Sequence, residues 1–203
     1  MFPLDFFFLG GRLVVDLLNT VIVPGGRVRD LLSRRVDVAS WGEAAGVVAR
    51  RDLRNAAREP PGLRAFREAL RRGLVAWAAA GTPPARLIAL LNHHLARDPA
   101  VTEVSRKGRD VVTRVRSAGG PLERLYGAVA RSAAEMITQG DPRRLRKCAD
   151  ATCRLMFYDT SKSGRRRWCS MQTCGGRAKV RAFYQRRRAV TSRAATPQRA
   201  ATS

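Results

Sequence analysis

The chain has 203 residues, of which 45% are hydrophobic; this excludes wholesale disorder and allows one ordinary core plus a small appended module. No apolar run approaches the roughly 20 residues of a spanning helix, so no membrane insertion is expected. The net charge of +23 favours a polyanionic partner, with nucleic acid ahead of an anionic membrane surface.

The charge is unevenly placed. Arginine outnumbers lysine 35 to 4, which GC-rich coding alone would produce, so position is more informative than total. From Arg143 to Ser203 there are 17 basic and 2 acidic residues, a surplus of 17 − 2 = 15. Met1–Gly10 is apolar but lacks a basic start and contains Asp5, so it does not read as a targeting segment. A cytoplasmic protein is expected, and in a reducing compartment clustered cysteines are metal ligands more often than disulfides.

In chain order, Phe6–Thr20 opens on a Gly-Gly turn and continues as an apolar segment too short for its period to separate strand from helix. Asp16 and Asn19 lie inside it, and buried polar groups must find partners. They read as a hydrogen-bonded structural pair or cap, with a ligand or interface contact as the alternative. Pro24–Gly26 is a loop. Leu31–Val48 reads as a helix with Asp37 as N-cap and Trp41 in the core. Arg50–Arg58 reads as a short helix ended by Pro60-Pro61.

Gly62–Ala80 is amphipathic: Leu63, Phe66, Leu70, Leu74 and Trp77 fall at three- and four-residue steps, with Arg64, Arg67, Glu68, Arg71 and Arg72 outside them. Thr82-Pro83 opens the next helix, Pro83–Ala96. Its His93 and His94 point about 100° apart on a helix, so they do not chelate one metal and read as surface or packing residues. Val101–Arg116 alternates about a glycine-bearing turn and reads as a β-hairpin. Gly119-Gly120-Pro121 starts a helix to about Thr138, and Asp141-Pro142 opens a short basic helix leading to Cys148. Together these elements predict an α+β fold: a predominantly helical N-terminal domain with a β-hairpin over 1–140, then a four-cysteine module over 141–188. A small polar, disordered basic tail is expected over 189–203.

All four cysteines, Cys148, Cys153, Cys169 and Cys174, lie in this module as two C-x4-C pairs. Four thiolates suit tetrahedral zinc, and a segment with so few large apolar residues needs a metal to order it. A disulfide pair, a redox-responsive zinc thiolate and an iron–sulfur cluster are the competing readings of that spacing. The expected frame is a knuckle at Ala149–Thr152, a hairpin of Leu155–Tyr158 with Arg166–Cys169, and a helix over Arg177–Arg188. This is a treble-clef-like or ribbon-like arrangement. A closed four-thiolate shell has no open position for catalysis, and with only Asp16 and two histidines as other candidates, no enzyme is expected.

The run R-R-W-C-S-M-x-x-C-G-x-R-x-K at Arg166–Lys179 resembles the CGNR zinc finger. The upstream chain is similar to the ABATE domain of stress-induced bacterial transcription regulators. Its G-x-L-x-x-D-x-x-N-T opening is matched by Gly11, Leu13, Asp16, Asn19 and Thr20, and its Trp-containing helix by Trp41 and Gly46. The resemblance implies that Cys148, Cys153, Cys169 and Cys174 hold one structural zinc per chain and that the finger binds nucleic acid. Gly176 stands where the family has Asn; a helix N-cap there would tolerate Gly.

On the last helix Val180, Phe183 and Tyr184 share a side and are expected to pack against Phe157 and Trp168. Arg165, Arg166, Arg167, Arg177, Lys179 and Arg181 then form a basic surface for phosphates. A DNA-binding transcriptional regulator is expected, with DNA favoured over RNA. An RNA-binding zinc-ribbon-like protein and a zinc-braced protein–protein module are the alternatives. A small-molecule effector and a homodimer stay open.

Overall fold

A computed structural model describes residues 6–56 and 60–194. The apolar opening is helix: α1 spans Leu13–Leu18, and Val14, Val15, Leu17 and Leu18 are all fully buried. A helix enclosed on every side shows no polar face, which explains the absence of a readable period. Gly11 (φ 73°) turns the chain into it, and a Cβ there would lie 2.9 Å from the Tyr158 carbonyl oxygen. A short antiparallel pair follows, β1 (Val21–Ile22) with β2 (Arg29–Asp30), flanking the expected loop at Pro24–Gly26.

Helix α2 is Arg35–Ala44, shorter at both ends than the expected Leu31–Val48. Asp37 is not its N-cap. It sits in the first turn, where its carboxylate accepts the Arg34 N–H at 2.8 Å, the returning half of a capping box. Trp41 is fully buried, as expected. Helix α3 is Arg50–Ala56; the end expected at Arg58 lies outside the described residues. Pro60 is the first residue of α4 (Pro60–Ala80), since a proline in the first helical turn forfeits only an N–H that has no partner there.

The α4 stripe Leu63, Phe66, Leu70, Leu74 and Trp77 is buried as a line. Arg67, expected outside, is 3% exposed: its guanidinium pairs with Asp30 through two 2.8 Å bonds and donates to Thr20 Oγ1 at 2.9 Å. A buried guanidinium survives because its donors are occupied. Helix α5 is Ala85–Arg97, with Pro84 rather than Thr82 at the N-cap. The expected hairpin is β3 (Ala100–Lys107) with β4 (Asp110–Ser117), turning at Gly108 (φ 66°). Every residue of β3 is exposed, so the hairpin stands clear of the helices. Its base is tied down by the buried Asp98, which accepts Ser117 Oγ at 2.7 Å and the Gly119 N–H at 3.1 Å and pairs with Arg131. Helix α6 (Pro121–Gln139) closes the core with Leu125, Val129, Ala133 and Met136.

The link to the cysteines differs from expectation. Asp141-Pro142 starts a single 3-10 turn, Pro142–Arg144, and then a strand, β5 (Leu145–Lys147), not a basic helix. β5 pairs antiparallel with β6 (Met156–Tyr158), so the hairpin partner of β6 is Leu145–Lys147 and not Arg166–Cys169. The physical reason is the alternation of β6. Met156 and Tyr158 join Leu145 in the main core, while Leu155 and Phe157 face a second cluster with Cys148, Cys169 and Cys174. One strand thus serves two cores.

The last helix, α7, runs Gly176–Ala194, past the point where a disordered tail was expected; residues 195–203 lie outside the described residues. Val180, Phe183 and Tyr184 do not pack on Phe157 and Trp168; they are 56%, 48% and 58% exposed. Phe157 is already covered by the Arg166 guanidinium at 4.5 Å, and Trp168 by Arg167 at 5.1 Å. Among the described residues, no helix is long and apolar enough to cross a membrane.

Candidate metal centre and its basic surroundings

The four cysteines come from three local structures. Cys148 follows β5, Cys153 closes the knuckle, and Cys169 and Cys174 flank and occupy a wide π turn, Met171–Gly175. Their sulfurs all lie within 4.8 Å of one another, with Cys153–Cys169 at 3.7 Å and Cys169–Cys174 at 3.6 Å. A tetrahedron with Zn–S near 2.3 Å has edges of about 3.8 Å, so this spacing suits a single tetrahedral ion. No disulfide links them.

Electrostatics point the same way. Burial pushes the Cys153 thiol up to about 11 and also raises Cys169. Burial opposes ionisation at Cys174 as well, yet the hydrogen bond from Arg177 brings it below the ordinary thiol range. Four converging sulfurs, of which burial holds Cys153 and Cys169 back from ionising, fit a divalent cation that compensates their charge, and an all-thiolate set suits zinc. Cys148, Cys153, Cys169 and Cys174 would hold it, closing the shell.

The knuckle is shaped by Asp150, a residue not among the expected site residues. Its buried carboxylate accepts Thr152 N–H at 3.0 Å and Thr152 Oγ1 at 2.8 Å, an Asx turn that the D-x-T pattern could have signalled. Those bonds, with Arg177 and Arg181 nearby, hold Asp150 below the usual carboxylate range. Arg177 spans the site: Nη2 donates to Cys174 Sγ at 3.0 Å and Nε lies 3.1 Å from Asp150. The loop before Cys169 is organised by Asp159, fully buried, which accepts Ser161 N–H at 3.0 Å and Arg166 N–H at 2.8 Å.

The six basic residues expected at a phosphate surface divide into two groups. Arg166 is consumed internally: it donates to the Trp168, Cys169 and Leu9 carbonyls. Arg177 braces the sulfurs as described. Arg165, Arg167, Lys179 and Arg181 are exposed, with Arg181 3.8 Å from Asp150. Among the described residues, Arg165 and Lys179 have no carboxylate partner. Gly176 is helical (φ −60°, ψ −49°), the first residue of α7, so it is not an N-cap. A Cβ there would meet only the Met171 carbonyl, at 3.9 Å. A side chain at that position would project into open space.

In the N-terminal unit, Asp16 and Asn19 are both buried and each is bonded to the backbone. Asp16 Oδ1 accepts the Gly10 N–H at 2.7 Å. Asn19 donates Nδ2 to the Met156 carbonyl at 2.9 Å and accepts the Met156 N–H at 2.8 Å. His94 stacks on Tyr126 at 4.8 Å, and burial, with His93 and Arg97 beside it, lowers it to about 4.

Asp16 carries a pH prediction. Burial raises its carboxyl from 3.8 to about 6, against the lowering effect of the Gly10 bond. The folded chain therefore prefers the protonated form. The stability it contributes is complete below the unfolded value and is lost as pH rises through about 6; two units correspond to roughly 3 kcal/mol. His94, lowered to about 4, contributes stability in the opposite sense over the same window, and does so equally in both proteins. In urea unfolding, the stability of Asp16→Asn, which keeps the acceptor, should therefore rise relative to the parent chain between about pH 4 and 6.5. Parallel curves for the two proteins would reject this assignment.

Family models agree with this architecture. A CGNR zinc finger model matches residues 144–187, and the ABATE model, described as "Putative stress-induced transcription regulator", matches residues 11–140. No curated protein matches the chain. With the sulfur cluster at the finger's four cysteines and the larger model spanning most of the sequence, the chain belongs to the ABATE family and carries a C-terminal CGNR zinc finger.

Proposed function

We propose that the chain is a DNA-binding transcriptional regulator of the bacterial cytoplasm, without catalytic activity, whose zinc finger holds one structural zinc and contacts phosphates. The observation that carries this reading is the run of exposed cations on one module. Arg165, Arg167, Lys179, Arg181 and Arg186 are all exposed, and the module's two carboxylates are buried and already bonded. That arrangement supports an outward field of one sign beside a rigid metal site.

Binding of this kind weakens with salt, and each neutralised phosphate contributes about −0.9 to the log–log slope on duplex DNA. Combining Arg165→Ala, Lys179→Ala and Arg186→Ala, none of which touches the sulfurs, should lower duplex affinity about equally for every sequence. The salt slope should become shallower by roughly 2–3. Unchanged affinity and slope would remove this surface from the reading.

The exposure of Phe183 and Tyr184 favours one second reading, RNA binding. Their rings pack edge to face at 5.6 Å, and exposed aromatics beside arginines can stack unpaired bases, worth about 1–3 kcal/mol per base. Titration of duplex DNA against single-stranded RNA at one salt concentration separates the two. Loss of only the RNA affinity in Phe183→Ala would favour the second reading.

A further inference from the structure

A cleft of about 830 Å³ opens where the N-terminal segment, the metal knuckle and α7 meet. Its apolar wall is made by Phe7, Leu9, Ile22, Val23, Leu155 and Val180. Three guanidinium groups border it, those of Arg154, Arg177 and Arg181, and no carboxylate does so among the described residues; Cys153, Cys169 and Cys174 of the metal centre also line it. Arg177 is engaged with Cys174 and Asp150, and Arg181 approaches Asp150. Arg154 is exposed and has no anionic partner among the described residues. Small-molecule sites have this character: concave, of about 300–1,000 Å³, mostly apolar, with a few polar groups that fix orientation.

We propose that this cleft binds a small soluble organic anion, with its apolar body against Ile22, Leu155 and Val180 and its acidic head at Arg154. Arg154 selects the class, since Arg177 and Arg181 already face the charge of Cys174 and Asp150. A neutral apolar ligand would leave the cationic rim unused, and a cation would be repelled by it. Because the wall combines β1 with Val180 of α7, the bound anion ties the last helix to the N-terminal unit. A regulatory consequence for nucleic-acid binding rests on the proposed function; occupancy of the cleft does not.

The test uses the zinc-loaded full chain without nucleic acid and two fluorescent probes of similar body, anionic 1-anilinonaphthalene-8-sulfonate and neutral N-phenyl-1-naphthylamine. The anionic probe should saturate at one site per chain. Val180→Asp, at a position 56% exposed and therefore tolerant of change, should weaken both probes about tenfold or more. Arg154→Ala should weaken the anionic probe about tenfold and leave the neutral one nearly unchanged. Zinc content and circular dichroism verify that each variant is folded. Unsaturable binding, indifference to Val180→Asp, or equal losses of both probes in Arg154→Ala would overturn the proposal. So would binding that appears only after deletion of residues 1–5, since the chain's own start would then be the occupant.

Discussion

Replacing Cys169 with serine is expected to abolish zinc binding and to melt the knuckle and π turn while the helical core stays folded. Cys169 is 1% exposed and central to the cluster, with its sulfur 3.7 Å from Cys153 and 3.6 Å from Cys174 and its N–H directed to Cys148 Sγ at 3.4 Å. A hydroxyl is a poor, hard donor in a site that depends on soft thiolates. Ordering a residue costs about 1–2 kcal/mol, and the knuckle and turn together need on the order of ten residues ordered. Leu155 and Phe157, the large apolar residues fully committed to the second cluster, return only about 2–3 kcal/mol each. Structural zinc supplies roughly 10–16 kcal/mol in finger peptides, which closes that gap.

The loss should nevertheless be local, because Leu145, Met156 and Tyr158 are buried in the main core. Elemental analysis should give about one zinc in the parent chain and none in Cys169→Ser. Amide exchange should stay slow at β6 and become fast over residues 149–153 and 171–175. Full zinc retention in the variant would sink the site, and loss of protection throughout the chain would sink the separation of the two cores.

The second large effect is expected at Asn19, a residue far from any cysteine in sequence. Its amide meets the Met156 peptide on both sides, at 2.9 and 2.8 Å, and so behaves as a neighbouring strand would toward β6. Asn19 is 2% and Met156 4% exposed, so water cannot replace either bond. Asn19→Ala leaves a buried N–H and a buried carbonyl unpaired, at about 1–3 kcal/mol each. The expected loss of roughly 2–6 kcal/mol is a large share of a typical 5–15 kcal/mol total. Asn19→Asp keeps the acceptor but sets a carboxylate against the Met156 carbonyl, so it should be at least as damaging. Urea unfolding checks both. A change below about 0.5 kcal/mol in Asn19→Ala would show that the paired bonds contribute nothing net.

Much of the candidate site was legible in the residues. Two C-x4-C pairs in an arginine-rich stretch led to the sulfur cluster, and thiolate chemistry leaves few other uses for four clustered cysteines. The buried stripe of α4, the hairpin about Gly108 and the helix after Pro121 followed from periodicity and turn chemistry, which act over a few residues. Asp37 and Pro60 show the limit of such signals: Asp37, read as an N-cap, lies in the first turn of α2, and Pro60, read as a helix end, is the first residue of α4.

What the amino-acid order could not reveal is how each charged or apolar residue is used. Arg67 read as lying on the polar side of its helix, and Arg166 and Arg177 as members of a basic surface, yet the first is buried against Asp30, the second holds carbonyl oxygens and the third braces a sulfur. Conversely Val180, Phe183 and Tyr184 read as core and are exposed. A guanidinium suits solvent, phosphate or a buried acceptor equally well, and only the arrival of a partner from a distant segment decides which. The same holds for β6, whose partner could have been either flanking strand until Leu145 was drawn into the main core. Composition and local spacing thus determined the family of elements and the clustered cysteines; long-range packing decided which cations stay outside and which strand joins the two cores, because desolvation rewards only the contacts that three-dimensional closure makes available.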